Sequence, residues 1–377
     1  TAKGLKRDAF KIVSGANWLA LVGNDLEFEP REPWARRHSQ WAQEKQSEWE
    51  KLAGKPWMNP IGRSLYRDYN KQLDIWNFDH RGSLNAVYVF LRELGVRWYM
   101  PGELGEILPK RTNIVLSKFD RTVTPDWEIR SISRPMISSN ELEDALWYLR
   151  IGANNQYAVL HHGQRYLTEH PDQRKAHPEY YAMMANGQRD NLSKTANACL
   201  SSKGFFREMV AFARLMFDHY DIPMVSVMPH DGFNHCQCDL CRDQANLERG
   251  ASGSSSDYVW NFVGRVANEL AKTHPDRKVF CGAYSSYRLP PLTIDKLPDN
   301  VLVQITNGRP IRELDNEVHQ ATAELRKAWR EKTNHSLSVT LNYTPFTNRG
   351  AYRPQYWPHV IDRGMKESFG ETWREDV

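Results

Sequence analysis

The sequence predicts an α/β protein, a (β/α)8 barrel of the TIM type preceded by a small α/β domain. Beyond residue 125, apolar strand-like segments alternate with amphipathic helix-like segments, which indicates a parallel sheet. About eight strands in about 250 residues favour a closed barrel over an open sheet. Pro125 follows a change of pattern. We therefore expect a first domain at 1–124 and the barrel at 125–377.

The first domain is predicted to contain a helical insertion at about 31–56. Its residues Trp34, Trp41 and Trp49 are spaced so that one helix face carries all three. The charges of this segment are expected to form a solvated face. Because these Trp residues lie away from the predicted strand ends, we do not expect them to bind a ligand.

One amphipathic helix is clear in the rest of this domain. Ser83 is expected to cap its start, and Gly95 supplies the left-handed residue that ends it. The strands predicted around this helix are 73–77, 96–100 and 113–116.

The barrel strands are predicted at seven places, with a shorter strand preceding Cys199. The longest amphipathic helix begins at the serines of 254–256. Since the last strand leaves six residues of chain, we expect the barrel to lack its final helix here. The seven strands are 127–132, 156–160, 223–228, 278–284, 300–306, 336–343 and 365–371.

Composition excludes several classes of protein. The net charge of +4 and the absence of a basic stripe argue against nucleic-acid binding. No apolar run is long enough to span a membrane, and the first ten residues hold no signal core, as in a processed chain. The 13 Trp and 16 Tyr residues fit either a large aromatic core or faces that stack on sugars or bases.

Active sites of such barrels lie at the carboxyl ends of the strands, so polar residues there are the candidates. Asp231 follows an apolar strand and is a candidate catalytic carboxylate; the alternative is an Asx turn that closes the strand. Glu371 ends the last predicted strand, and burial against Trp373 would raise its pKa, as suits a general acid. The alternative for Glu371 is a structural ion pair with an arginine.

Further strand ends provide candidate ligand-binding residues. His162 suits a hydrogen bond to substrate, although a core histidine is an equal alternative, and no carboxylate follows it at a metal-ligand spacing. The other candidates are individually weak and also fit ordinary loop or core roles. They are His230, Tyr284, Asn307, Arg309, Asn342, Tyr343 and Trp373, whose ring could stack on a sugar.

A cysteine cluster follows Asp231. Cys236, Cys238 and Cys241 could bind a structural zinc ion if Cys199 or His235 supplied a fourth ligand, or they could form disulfides. Either arrangement would clamp the loop that carries Asp231. No phosphate-cradling or dinucleotide-binding motif is present, so we expect no catalytic cofactor.

Taken in order, these motifs resemble a known family. The segment from Arg81 to Glu106 is similar to the domain that precedes the barrels of α-glucuronidases and hexosaminidases. The segments 177–181 and 226–232, with the cysteine cluster, resemble domain-of-unknown-function family 4838. That family overlaps glycoside hydrolase family 163, which acts as an endo-β-N-acetylglucosaminidase on N-glycans. The chain differs by His230, where an Asn is more frequent, and by the insertion.

The resemblance implies a secreted, periplasmic or cell-surface bacterial glycoside hydrolase that degrades complex glycans. It implies a retaining or substrate-assisted mechanism with a carboxylate pair, for which Glu371 and Asp231 are the candidates. Glu371 would be the acid, and Asp231 the nucleophile or the group that orients an N-acetyl carbonyl; the roles could be exchanged. The partner is then an oligosaccharide or polysaccharide.

Two alternatives remain at this point. The first is a glycosidase for uronic-acid or sulfated polysaccharides, which Arg309, Arg353 and Arg374 would suit. The second is a non-catalytic barrel that binds carbohydrate.

Overall fold

The computed structural model describes most of the 377 residues. The described residues are 1–33, 40–60, 68–131, 141–156, 158, 162–306, 314–333, 337–340 and 358–376. For 40–44, 337–340, 361 and 373–376 the description covers the backbone alone.

The described strands, in chain order, are β1 (Phe10–Ser14), β2 (Leu19–Gly23), β3 (Asp25–Leu26), β4 (Tyr69–Asn70), β5 (Ile75–Trp76), β6 (His80–Arg81), β7 (Arg97–Trp98), β8 (Glu106–Ile107), β9 (Asp120–Val123), β10 (Ile129–Ser131), β11 (Met224–Ser226), β12 (Lys278–Ala283), β13 (Val301–Thr306), β14 (Leu337–Thr340) and β15 (Thr372–Asp376). The described α-helices are α1 (Gln40–Ala53), α2 (Gly82–Glu93), α3 (Glu141–Arg150), α4 (Arg165–Thr168), α5 (Pro171–Ala176), α6 (Lys203–Tyr220), α7 (Gly250–Gly253), α8 (Ser256–Ala271), α9 (Asn316–Lys332) and α10 (Pro358–Ser368).

The first part of the chain forms a three-stranded antiparallel sheet in the order β2–β1–β9. Helix α2 packs on this sheet, and their shared core is small: Phe10, Ile12, Ala86 and Phe119. Gly95 ends the helix region with a φ of +94°, as predicted. Ser83 does not cap the helix, because its hydroxyl accepts a hydrogen bond from the Gly23 amide instead.

The larger sheet is parallel and has six strands in the order β10–β15–β14–β13–β12–β11. Strands β11 to β13 are buried almost throughout, as parallel strands covered on both faces are. All carboxyl ends lie along one edge. The predicted α/β class is therefore confirmed, but the strands described here do not close into a barrel.

Two long helices cover this sheet, and the sequence explains where each begins. Ser202 caps α6 by accepting a hydrogen bond from the Phe205 amide at 3.3 Å. Helix α8 follows the serine-rich loop, as predicted, and buries Val259, Phe262 and Val266. Both helices therefore present one apolar face to the sheet.

The predicted helical insertion is a helix, α1, and it packs against α6. Trp49 is fully buried, with its ring centroid 6.3 Å from that of Phe212 and 6.0 Å from that of Tyr220. Trp57 donates a 2.9 Å hydrogen bond to Glu208. These two Trp residues belong to the core rather than to a ligand site. Trp34 and the side chain of Trp41 lie outside the described residues.

The prediction of a last strand at 365–371 is wrong. Most of that segment belongs to α10, and the strand β15 begins only at Thr372. Gly370, at a φ of +79°, makes the turn between them. The two apolar residues of the segment, Met365 and Phe369, lie four positions apart, a spacing that suits a helix rather than a strand.

Other strands predicted within residues 1–124 are shorter than expected or do not form. The predicted strands 73–77 and 96–100 shrink to the two-residue strands β5 and β7. No strand forms at 113–116, where Val115 is 88% exposed. The segment before Cys199 makes a single bridge, from Ala198 to Tyr181.

The two sheets are joined by a buried ionic contact. Asp8 is 1% exposed and accepts hydrogen bonds from the Arg81 amide at 2.8 Å, from Arg130 at 2.7 Å and from Asn154 at 2.7 Å. Arg130 lies in β10, so this carboxylate ties the start of the chain to the larger sheet. Burial alone would raise the pKa of Asp8, but these hydrogen bonds and the charge of Arg130 lower it overall.

Candidate functional site

The candidate site lies beyond the carboxyl ends of β11 and β12. The chain leaves β11 through a short buried segment and reaches Asp231, whose side chain is exposed. Tyr284 directly follows β12 and donates its hydroxyl to Asp231 Oδ1 at 3.2 Å. The same oxygen accepts a hydrogen bond from the Gly232 amide at 3.0 Å. Two adjacent strands thus bring a carboxylate and a phenol together.

Two backbone positions next to this pair have a positive φ. Gly232 has a φ of +67°, which a glycine adopts without the penalty of a side chain. Its carbonyl accepts a 3.2 Å hydrogen bond from Asn197. Ser285, next to Tyr284, also has a positive φ, of +50°. A positive φ at a residue with a side chain, such as Ser285, is strained, and strained backbone is frequent at functional sites.

His162 lies beside the pair and has a defined tautomer. Its Nδ1 is 2.6 Å from the carbonyl oxygen of Pro229, which can only accept, so Nδ1 carries the proton. Burial lowers the pKa of His162 more than this hydrogen bond raises it. The neutral ring therefore has Nε2 as an acceptor. Its ring meets the Tyr284 ring edge to face at 6.2 Å.

The segment after His162 docks closely on β11. A Cβ on Gly163 would lie 1.7 Å from the carbonyl oxygen of Ser226, so only glycine fits without a shift of the backbone. Gln164 donates its backbone amide to Met228 at 3.2 Å and its side chain to Val227 at 2.9 Å. These contacts fix His162 relative to Asp231.

His230 connects the site to a second carboxylate. Its ring stacks on His162 at 6.1 Å, and its Nε2 is 3.0 Å from Glu169 Oε1. Arg165 donates to the same oxygen at 2.8 Å. Although burial would raise the pKa of Glu169, the hydrogen bond from His230 and the charge of Arg165 lower it overall. Glu169 is therefore held ionised and positions His230.

The structure does not bring Glu371 together with Asp231. Glu371 precedes β15, whose first residue pairs with the first residue of β14, so it lies at the amino edge of the sheet. Its backbone amide donates to Ser368 at 2.9 Å, within the turn after α10. A strand of this length spans about 15 Å, and Asp231 lies beyond the opposite edge. The misplaced last strand led to the choice of Glu371.

Several predicted residues lie outside the described part of the chain. They are Asn307, Arg309, Asn342, Tyr343, Arg353 and the side chains of Trp373 and Arg374. Conversely, the sequence reasoning missed Arg165 and Glu169. The signal available was their spacing of four residues directly after the His162 segment, which suits an ion pair on a helical turn.

The four predicted cysteines are brought together. Cys199, Cys236, Cys238 and Cys241 are buried, and their sulfur atoms all lie within 4.8 Å of one another. All four are free thiols, so the predicted disulfide alternative is not the state of this structure. His235 is not a fourth ligand, because its ring nitrogens contact Ser255 and the Cys241 carbonyl.

A cavity of about 430 Å³ lies elsewhere, between the smaller domain and the start of β10. Its lining includes Arg92, Arg130 and Arg150. Arg130 is fully engaged by Asp8 and by the carbonyls of Trp127 and Gly152. The lining of the cavity contains none of the predicted site residues.

The site thus offers an exposed carboxylate, a phenolic donor beside it and a neutral imidazole acceptor. Burial and then the Asp231 charge raise the pKa of Tyr284, so the phenol stays protonated and donates. An adjacent donor and acceptor of this kind can bind hydroxyl or amide groups. In the described residues, no helix is both long and apolar enough to cross a membrane.

Comparison with known proteins identifies one family and a weak similarity to solved structures. A comparison with proteins of curated function finds no match. Among solved structures, the chain is similar to a β-N-acetylhexosaminidase, with a TM-score of 0.40 and 13% identity over 99% of this chain and 78% of that one. The model of the family described as domain of unknown function (DUF4838) matches residues 100–372. This match spans more than half of the chain, which therefore belongs to the DUF4838 family.

Proposed function

We propose that this protein is a glycoside hydrolase that acts on glycans containing N-acetylated sugars, in the manner of an endo-β-N-acetylglucosaminidase. The observation that carries the proposal is the hydrogen bond between the Tyr284 hydroxyl and the exposed Asp231 carboxylate. An acetamide group presents an N–H donor and a C=O acceptor on neighbouring atoms of one planar amide. Asp231 would accept from that N–H, and Tyr284 would donate to that carbonyl.

This arrangement favours substrate-assisted chemistry. When Asp231 and Tyr284 hold the acetamide, its carbonyl oxygen can be directed at the anomeric carbon, and Asp231 can stabilise the positive charge that develops on the nitrogen. His162 Nε2 would accept from a sugar hydroxyl. Glu169, kept ionised by His230 and Arg165, would hold the histidine pair in place rather than act as an acid.

The second carboxylate is proposed from the observed last strand. Glu371 is a candidate on the premise that the general acid lies at the carboxyl end of the last strand. Because β15 runs from Thr372 to Asp376, the residue at that end is Asp376. We therefore propose Asp376 in place of Glu371 as the general acid.

A closed barrel is part of the same proposal. The amide of Asn154 donates to the carbonyl of Arg130 in β10 at 3.1 Å, and Gln164 bonds to the chain leaving β11. Asn154 therefore contacts one edge strand, and Gln164 contacts the chain that leaves the other. We propose that the chain closes here into the predicted (β/α)8 barrel, with the carboxyl ends of β11 and β15 at one mouth.

The test is hydrolysis of a panel of glycans by the wild-type chain and three variants. The panel contains an N-glycan core, its N-deacetylated form, and a uronic-acid and a sulfated polysaccharide. Asp231→Asn and Asp376→Asn should lower kcat/KM on the N-glycan by about 10²–10⁴, whereas Glu371→Gln should retain activity within about threefold. Deacetylation should abolish turnover.

Each other result has a meaning for the proposal. Hydrolysis of the anionic polysaccharides alone would replace the N-acetylated substrate by a uronic-acid or sulfated one. Binding without turnover on any glycan would make the protein a carbohydrate-binding barrel. A loss of activity in Glu371→Gln with none in Asp376→Asn would return the acid to Glu371.

A further inference from the structure

The four clustered cysteines have the dimensions of a metal site. Three of the six sulfur–sulfur distances are 3.9 Å from Cys199 to Cys238, 3.6 Å from Cys199 to Cys241 and 3.5 Å from Cys238 to Cys241, and all six are within 4.8 Å. Zinc–sulfur bonds of about 2.3 Å in a tetrahedron place the sulfur atoms about 3.8 Å apart. A disulfide would need about 2.05 Å. The cluster therefore fits a tetrahedral ion and not a covalent bridge.

Two separate parts of the chain form the cluster. Cys199 follows the bridge at Ala198, and its amide donates to Tyr180 at 2.8 Å. Cys238 and Cys241 share a tight turn, in which the Cys241 amide donates to the Cys238 carbonyl at 2.8 Å. The turn and the strand-like segment hold the thiols in position by backbone hydrogen bonds.

The groups around the sulfur atoms are donors. The Met183 amide donates to Cys236 at 3.2 Å, and the Tyr258 hydroxyl donates to Cys241 at 3.3 Å. The Arg189 guanidinium lies 4.0 Å from the Cys236 sulfur. N–H and O–H donors aimed at sulfur stabilise thiolates, and buried thiolates need a cation.

We propose that Cys199, Cys236, Cys238 and Cys241 bind one structural Zn²⁺ ion as four thiolates. The full set of four protein ligands leaves no open position, so the ion would be structural and not catalytic. It would join the segment of Cys199 to the loop that begins at Asp231. The side chain of Asn197, two residues before Cys199, already bonds to Gly232 in that loop.

The first test measures metal in the purified full-length chain. Elemental analysis should find about one zinc per chain, and titration of the thiols with a mercurial should release that zinc as four thiols react. Added Co²⁺ should replace the zinc and give the charge-transfer bands of a tetrahedral thiolate site. The absence of zinc together with absence of these bands would overturn the proposal, as would iron in place of zinc.

Variants provide the second test. Cys236→Ser should lose the zinc, and the matched variant Cys281→Ser should keep it, because the fifth cysteine is buried in β12 outside the cluster. Zinc retained by a folded Cys236→Ser variant would contradict the proposal. If that variant does not fold, the zinc content and the thiol count of the wild type decide: one zinc per chain with five thiols after denaturation supports the site, and fewer thiols indicate disulfides. None of these readouts depends on the proposed glycosidase activity.

Discussion

The Tyr284 hydroxyl donates to Asp231 Oδ1 at 3.2 Å, and this contact joins the chain that leaves β11 to the end of β12. The phenol is protonated, since burial and the neighbouring charge raise its pKa. Without substrate, the contact satisfies both groups. With an acetamide present, Asp231 would accept from the N–H of the ligand instead of from Tyr284. The Tyr284 hydroxyl would donate to the carbonyl of the ligand instead of to Asp231.

Tyr284→Phe tests that exchange. The variant keeps the aromatic ring and removes the donor, so kcat/KM on N-acetylated substrates should fall about tenfold to a hundredfold. Binding of a deacetylated analogue should change less than threefold, because it lacks the carbonyl that the hydroxyl would meet. Equal losses for both ligands would show that Tyr284 only supports the fold of the loop.

The two nitrogens of His162 can be tested separately. An asparagine amide nitrogen can replace Nδ1–H and keep the contact with Pro229, whereas a glutamine amide reaches further, towards the position of Nε2. If Nε2 accepts from the substrate, His162→Asn should fold normally and lose activity about tenfold or more. Because the glutamine amide reaches the position of Nε2, any loss of activity in His162→Gln should come mainly from a lower stability of the folded chain. Stability is read by urea unfolding and activity by kcat/KM.

Glu169 predicts an acid-dependent loss of stability. Its pKa is lowered in the folded chain, so its contribution is fully present above the unfolded carboxyl value of about 4.3 and disappears as the pH falls through the folded value. Glu169→Gln should cost about 1 kcal/mol at pH 7, a modest value because the carboxylate is partly exposed. The gap between wild type and variant should narrow below pH ~4; a constant gap from pH 7 to 3 would contradict this origin.

The sequence predicted the parallel sheet better than its last strand. Strands β11, β12 and β13 are short runs of Val, Ile, Phe and Cys with turn residues at both ends, and each was predicted within about two residues. The segment predicted as the last strand, 365–371, has only two apolar residues, Met365 and Phe369, and most of it belongs to α10. The strand β15 is defined by its pairing with β14 and β10, and such pairing is not visible in a single sequence.

The candidate site shows the same division. Asp231 and Tyr284 could be predicted because Asp231 follows a buried segment and Tyr284 directly follows β12. Glu169 could not, since it reaches the site through contacts with His230 and Arg165 that depend on the docking of Gly163. The antiparallel strands β1, β2 and β9 were also missed, because they carry few buried residues and because β9 lies far from β1 in the sequence.

Gly163→Ala predicts a large loss of stability from a close approach of the backbone. The added Cβ would lie 1.7 Å from the Ser226 carbonyl, so β11 or the His162 segment must move. We expect a cost of more than about 3 kcal/mol in urea unfolding. The control is Gly187→Ala, where a φ of +78° strains the backbone but no atom lies within 4 Å; it should cost about 1 kcal/mol. Similar costs for both would show that the sheet edge yields easily.

Asp8→Asn tests the buried contact between the two sheets. Asparagine tolerates the positive φ of 58° at this position, so the substitution isolates the charge and the hydrogen bonds. An amide NH2 would face the donors of Arg130 and Asn154 and leave Arg130 without its counter-ion. We expect a loss of about 3 kcal/mol at pH 7.

The exposed Asp25, which bonds to the Ser83 amide, provides the matched control, and Asp25→Asn should cost less than about 1 kcal/mol. Because the pKa of Asp8 is lowered in the folded chain, wild type should approach the stability of Asp8→Asn as the pH falls below about 4. If the two variants are equally stable at pH 7, the contact between the sheets depends on apolar packing rather than on the Asp8 charge.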